Sequence, residues 1–347
     1  MGISRKEALD CLRSDDLIGV GMEADAVRRR LHPEGVVSYA IARDIDCAAA
    51  MDGRTDDANH PDIGCAHRLF VEIGETVELG STGVRLVSGV GGPGSQSKAC
   101  GIEWFEGMLR GIRQRFPSLW IEALSATEIV ALAAASGLDL RQTIARLGGA
   151  GLDSIASDDA ASLGAANFGN RIAQPQCSAA EWLAVHRAAH GLGMQTVATM
   201  NFGFGAGEYG AGMAGPGETQ EQRVAFLEAV RRLQQETGGF TAFIPRSLPS
   251  RNAAGGWDEP TAVEQLKTLA VARVFLDNIQ NIQWNAAAQG LKVLQTGLRF
   301  GANDAGSVTP QATATNHTSE EDLRRIIRDA GFQPVQRDTP YRMMFLN

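Results

Sequence analysis

The sequence predicts a single α/β domain: a (β/α) TIM-type barrel of parallel strands with helices outside it. Three observations carry that expectation. Apolar or β-branched runs bounded by turn residues alternate with helical patterns along the chain, no linker or composition break interrupts them, and the number of units favours a barrel over an open sheet. The 347 residues accommodate such a barrel with extensions. A hydrophobic share of 44% with 21% charged residues is that of a globular chain.

In chain order, "MGISRKEALDCLRSDD" reads as an amphipathic helix without a signal-peptide apolar region, so residues 1–35 form a helical preface. The barrel is expected over 36–310. Its strands are "VVSYAIAR", "GVRLVSGV", "SLWIEALS", "GLDSIAS", "MQTVATMNFG", "GFTAFIPRSL" and "NIQWNA", closed by the strand ending in "GANDAGS". Between them, "IEWFEGMLRGIRQRF", "AAEWLAVHRAAHGLG", "TQEQRVAFLEAVRRLQQETG" and "AVEQLKTLAVARVFLDN" place apolar residues three and four apart, the helical spacing. "SAAE", Ser178 to Glu181, matches a capping box. "SEEDLRRIIRDAGFQPVQRDTPYR" supplies a closing helix and tail over 311–347. "FGFGAGEYGAGMAGPGET", Phe202 to Thr219, is too glycine-rich for regular structure and reads as a flap at the barrel mouth.

Composition excludes some partners. A net charge of −8 argues against nucleic acid, whose phosphates require a basic face. No apolar run reaches membrane-spanning length. Five cysteines, at 11, 47, 65, 100 and 177, make no disulfide framework and fit a reducing, cytoplasmic compartment. The expected partner is a small molecule, with a homodimer as the candidate assembly.

Several stretches fall where strand C-termini of a barrel carry chemistry. "SGVGGPG", Ser88 to Gly94, exposes backbone amides that a carboxylate, amine or phosphate can approach. "SATE" puts Ser125 and Glu128 just past the third strand, where they suit a capping box as well as a site. Asp158 and Asp159 follow the fourth strand, a position that also serves a helix dipole. Asn303 and Asp304 end the last strand, and Trp284 and Gln289 follow the seventh. Cys47, His60, Cys65 and His67 offer zinc- or iron-type ligands, at a spacing that matches no standard zinc pattern. Trp104, Trp182, Phe226 and Phe275 read as packing groups. His186 and His190, one turn apart, lie on a helix outside the barrel and away from its mouth.

The order of these phrases resembles the radical S-adenosylmethionine (SAM) enzymes of the dehypoxanthine futalosine cyclase type and their relatives in deazaflavin synthesis. The similarity rests on "ADAVRRRLHPEGVVSYAIARDI", "LSATEIVALAAASGLDLRQTIARLGGAGLDSI", "ETGGFTAFIP", "ARVFLDNIQNIQ", "LRFGANDAGS" and "RRIIRDAGFQPVQRDTPY". It implies a barrel that holds SAM and a nucleoside-like substrate at the strand C-termini. In that family the first loop carries CxxxCxxC, whose thiolates hold a four-iron four-sulfur cluster. Laid on "RDIDCAAAMDGRTDDA", the three positions fall on Met51, Thr55 and Ala58, so no cluster is expected. Other departures surround the mouth: "SDDAAS" replaces a glycine-rich run, the fifth-strand loop is lengthened, Arg246 stands where an aromatic residue is usual, and the acidic run after "GAND" is missing.

The resemblance assigns Gly89, Gly91 and Gly92 to the amino group of SAM and places Ser125 with Glu128 near the cofactor; Ser88, Thr199 and Asn201 complete the expected cofactor side. Glu128, Asp158, Glu218 and Asp304 are the expected acids and bases, Tyr39 and Arg246 the orienting groups, and Trp284, Gln289 and Asn303 the substrate contacts. The leading expectation is a cluster-less enzyme that binds SAM or a related nucleoside and performs group transfer, cyclisation or elimination. A non-catalytic partner of another protein is the second, and a mononuclear metal enzyme built on Cys47, His60, Cys65 and His67 the third.

Overall fold

The computed structural model describes residues 2–47, 64–87, 101–157, 177–203, 207–208, 214–215, 219–247, 250–251, 257–258, 260–308 and 318–344. Helices Arg5–Arg13 and Leu17–Leu31 precede the first strand. The first opens on a capping box in which Ser4 and Glu7 satisfy each other's backbone N–H groups, as its sequence dictates.

The strands are β1 (Val36–Ile41), β2 (Asp44–Asp46), β3 (Gly83–Val87), β4 (Trp120–Ala123), β5 (Ser154–Ile155), β6 (Thr196–Phe202), β7 (Gly207–Glu208), β8 (Ala214–Gly215), β9 (Phe240–Ser247), β10 (Ser250–Arg251), β11 (Trp257–Asp258), β12 (Asn281–Ile282), β13 (Asp304–Val308) and β14 (Gln333–Gln336). Three parallel sheets build the barrel wall: β2-β3-β4-β5, β6-β9-β12, and β13-β1-β14. A parallel bridge from Gln283 to Asp304 joins β12 to β13. Ser154 Oγ donates to Gln195 O at 2.8 Å where β5 meets the start of β6. Helices Gly64–Glu78, Ile102–Arg115, Leu140–Ala150, Ala179–His190, Gln220–Thr237 and Ala262–Phe275 fall between successive strands, which gives a barrel with its helices outside.

Strand alternation decides what faces the interior. On β2 to β5, Ile45, Val84, Leu86, Ile121 and Ile155 are buried on the helix side, and their neighbours Asp44, Arg85 and Glu122 share the inner face. On β6 the same rule sends Met200 and Phe202 outward, with Arg223 of the neighbouring helix stacked on the Phe202 ring, and turns Thr199 and Asn201 inward. Trp182, Phe226 and Phe275 are buried packing groups as expected, and Trp104 packs partly buried against the core.

Two expectations need correction. The stretch Phe202 to Thr219 is not free of regular structure: β7 and β8 pair antiparallel, Gly207 with Gly215 and Glu208 with Ala214. Extended backbone pairing makes no demand on a side chain, so glycine composition alone did not exclude it. The C-terminal tail is also more than a closure. Its β14 adds to β1 in parallel, and the following residues fold under the barrel, with Thr339 against Gly83, where a Cβ would stand 2.3 Å from the Thr339 hydroxyl.

One buried cation ties the strand starts together. Arg273 is fully buried and donates to Gly301 O (2.7 Å), Ile279 O (3.3 Å), Gln280 O (3.1 Å) and Asn303 Oδ1 (2.6 Å). No carboxylate is among these partners, and burial, with Arg28 nearby, pulls its pKa down to about 9.

Candidate active site at the barrel mouth

The inner face of the barrel carries two polar groups of residues. The first is a row across adjacent strands: Asp44, Arg85, Glu122 and Ser154 are successive register partners on β2, β3, β4 and β5. Arg85 grips Asp44 with two nitrogens, Nε to Oδ1 at 2.9 Å and a second contact from Nη2 to Oδ2. Glu122 Oε1 accepts from Ser157 N at 3.1 Å, which ties the end of β5 to β4. The row therefore offers alternating charge at a partly open level of the barrel, suited to orienting a polar ligand.

The second group surrounds Asp304. Its Oδ2 accepts from Ser38 Oγ (2.6 Å) and from Arg337 Nε, and its Oδ1 from Arg337 Nη2 (3.1 Å) and Gly306 N (2.9 Å). Arg337 also donates to Gln283 Oε1 at 3.3 Å, and Tyr341 OH donates to the same oxygen at 2.6 Å. The guanidinium lies 3.8 Å from the Tyr341 ring centroid. Burial pushes the Tyr341 phenol up, so it stays protonated and remains a donor. Tyr341 adopts φ +65°, a left-handed conformation that turns the tail back so that its ring reaches this group.

Against this geometry the expected residues divide. Asn201 and Arg246 face inward on paired strands, and Arg246 Nε donates to Asn201 Oδ1 at 3.0 Å. Thr199 lies one inward position deeper, 3% exposed, and its hydroxyl has no partner among the described residues. Gln289 is 9% exposed on the short helix Ala286–Gln289, and its Oε1 has no partner among the described residues. Ser125 and Glu128 form the capping box of helix Ala126–Ser136, where Glu128 Oε2 accepts from Ser125 N (2.7 Å) and Ser125 Oγ (2.9 Å). Leu124, with φ +58°, turns the chain sharply from β4 into that cap.

Four expectations are corrected. Tyr39 points away from the interior because its neighbour Ser38 points in; its hydroxyl donates to Glu320 Oε1 at 2.7 Å on the outer helix Glu320–Asp329 and accepts from Arg324. Asn303 likewise faces away, where it receives Arg273 and Ile282 N (2.8 Å) and so braces the wall. Trp284 is fully buried against Gly297, where an added Cβ would meet its ring at 2.5 Å, and it packs on the helix side. Asn303 and Asp304 stand at the start of β13 and not at its end, and although Asp304 faces the interior, its carboxylate is fully buried and committed to Arg337 and Ser38, which makes it an anchor and not an available base.

Asp158, Glu218, Ser88, Gly89, Gly91, Gly92, Met51, Thr55, Ala58 and His60 lie outside the described residues. So do the side chains of Cys65 and His67 on helix Gly64–Glu78. Of that ligand set Cys47 alone is described, buried, with its thiol donating to Val87 O at 3.3 Å. Sequence reasoning missed Arg85, Glu122, Gln283, Arg337 and Tyr341. The alternation in "NIQWNA" placed Gln283 opposite Ile282 and Trp284 and was the one available signal; the tail residues carried none.

A cleft of about 530 Å³ opens elsewhere, at the N-terminal ends of β4 and β5 beside helix Leu140–Ala150. Its carboxylate, Asp153, is taken up by Arg113, so the cleft adds no free acid or base.

Residues 237–346 match the family model described as the CofH/MqnC C-terminal region. The cyclic dehypoxanthine futalosine synthase of Streptomyces coelicolor is 34% identical, over 99% of this chain and 86% of that protein. The aminodeoxyfutalosine synthase of Thermus thermophilus is 34% identical over 68% of this chain and 63% of its own length. In fold, the chain is similar to methylornithine synthase, with a TM-score of 0.62 at 13% identity, covering 96% of this chain and 94% of that one.

Proposed function

The chain belongs to the radical SAM CofH/MqnC family, and on that premise we propose that it is a biosynthetic enzyme that keeps the family's nucleoside pocket without its iron–sulfur cluster. The observation that carries this reading is the donor set. A four-iron cluster requires thiolates, and a thioether, a hydroxyl and a methyl group stand at Met51, Thr55 and Ala58. Cys47 does not restore the set, because its buried thiol is bonded to the backbone of β3's last residue. The residues present do not fit the cluster.

Retention of the pocket is supported from the interior. Thr199 presents a buried hydroxyl without a partner among the described residues, a group that costs about 1–3 kcal/mol unless something completes it. Asn201 and Arg246 stand above it, and Asp44, Arg85 and Glu122 line the facing wall. Such a lining suits polar chemistry, in which fixed charges and orientation lower the barrier. SAM, when bound, supplies carbons made electrophilic by the sulfonium beside them. Transfer, cyclisation or elimination on a small biosynthetic intermediate is the reaction class we assign, with Glu122 added to Asp158 and Glu218 as candidate proton carriers.

Isothermal titration of the purified full chain with SAM and with S-adenosylhomocysteine tests the pocket. We expect saturable binding of both, with affinities on the order of micromolar, a range set by a few hydrogen bonds plus ring burial. Absence of heat with either compound overturns the reading.

A further inference from the structure

Thr199, Ile244 and Gln283 occupy one rung of the barrel wall. Thr199 is the register partner of Ile244 on β9, and Gln283 follows the Ile282 to Phe243 pair, so all three lie at one level and face inward. Adjacent strands are about 4.8 Å apart, which puts roughly 10 Å between the outer two backbones. An apolar side chain flanked by two polar ones at that span makes a shelf wide enough for one ring.

The chemistry of the shelf is set by the tail. Gln283 is 8% exposed, and its amide orientation is fixed, because arginine only donates: the atom facing Arg337 Nη2 must be the oxygen. Tyr341 OH donates to that same oxygen at 2.6 Å. Both lone pairs of Oε1 are therefore occupied, and the Nε2 amino group is turned to the other side, where none of the described residues accepts from it. Across the shelf the Thr199 hydroxyl is buried and also without a partner among the described residues. Two largely buried side chains at one level, Thr199 and Gln283, each with a polar atom that none of the described residues completes, mark a ligand subsite. Charge is absent from its floor, since Arg337 is neutralised by Asp304.

Resting on the reading of a nucleoside-type pocket, we infer that the Thr199–Ile244–Gln283 rung is the floor of the substrate subsite. It takes an uncharged ring, heterocyclic or sugar-like, that carries an oxygen acceptor for Gln283 Nε2 and a hydroxyl for Thr199, with its face on Ile244. Gln283 is the specificity-determining donor. Tyr341 is a positioning residue: it acts on the ligand only by holding the Gln283 amide in register.

The probe is cyclic dehypoxanthine futalosine, the ring compound in the name of the Streptomyces relative, titrated calorimetrically beside S-adenosylhomocysteine. For Gln283→Leu, which keeps shape and removes the amide, probe affinity falls about tenfold or more, while S-adenosylhomocysteine affinity is unchanged. Tyr341→Phe weakens the probe by a smaller factor, and adds nothing further in the Gln283→Leu background, a coupling that general loosening of the tail would not produce. Unchanged probe affinity in Gln283→Leu, or additive losses in the double variant, overturns the inference while leaving the pocket standing. Wild-type protein that binds S-adenosylhomocysteine but not the probe also overturns it. Wild-type protein that binds neither compound overturns both.

Discussion

Exchanging Arg337 for methionine lowers the stability of the chain by about 3–5 kcal/mol, because it strands the Asp304 carboxylate in the barrel floor. That carboxylate is fully buried, and Ser38 and the Gly306 amide are its remaining donors once Arg337 is gone. Two neutral donors do not replace a bidentate guanidinium. The loss spreads, since Arg337 also fixes Gln283 and Tyr341 and donates to Asp338 O at 3.0 Å. The companion change Asp304→Asn in the same chain recovers most of the stability by removing the unpaired charge. Urea midpoints of the two single variants and the double variant check this; equal midpoints for Arg337→Met and wild type would contradict it.

Acid weakens the fold through a different pair, His186 and His190, wedged between helix Ala179–His190 and β6. Their protons can be traced. Thr237 Oγ1 donates to Leu233 O at 2.8 Å, so it must accept from His190 Nδ1 at 2.7 Å; His190 Nε2 is then an acceptor, which takes the Thr196 hydroxyl proton at 2.8 Å. Thr196 in turn accepts from His186 Nδ1 at 2.9 Å. Both imidazoles are thus neutral, with the proton on Nδ1, in a relay that runs one way. Gly239 permits the fit, as a Cβ there would stand 2.2 Å from the His190 ring.

A proton added to His190 Nε2 would meet the Thr196 donor head-on. Burial pulls His186 down to about 3, helped by His190, and His190 down to about 4. The unfolded imidazoles take up protons near 6.5 while the folded ones do not, so stability is complete above that pH and is lost as pH falls from 6.5 toward these values. At pH 5 both folded imidazoles are still neutral, so His186 and His190 each account for a loss of about 2 kcal/mol by linkage. In His186→Gln the drop in unfolding free energy from urea titrations between pH 7.5 and pH 5 should shrink by about 2 kcal/mol; an unchanged drop would contradict the relay.

The parts of this molecule that were legible in the sequence are local. Capping boxes at Ser125/Glu128 and Ser178/Glu181 form as their spacing dictates, because cap and partner lie within one turn. Barrel strands followed from apolar runs and flanking turns. Face choice along a strand is less legible: adjacent residues face opposite ways, so Asp304 and Ser38 turn inward while Asn303 and Tyr39 turn to the helix side, and no residue type in either pair marks the choice. The Arg337–Asp304–Gln283–Tyr341 group was illegible, since its members come together only when the tail folds under the barrel.

Whether this barrel holds an iron–sulfur cluster is decided by its thiolate set. Iron and acid-labile sulfide, determined on the full chain after anaerobic reconstitution with ferrous iron and sulfide, test it most directly. A cluster-less barrel leaves both far below stoichiometric amounts after desalting and gives no cluster signal in electron paramagnetic resonance on reduction. Four irons and four sulfides per chain, with SAM cleaved to 5′-deoxyadenosine under reducing conditions, would contradict it.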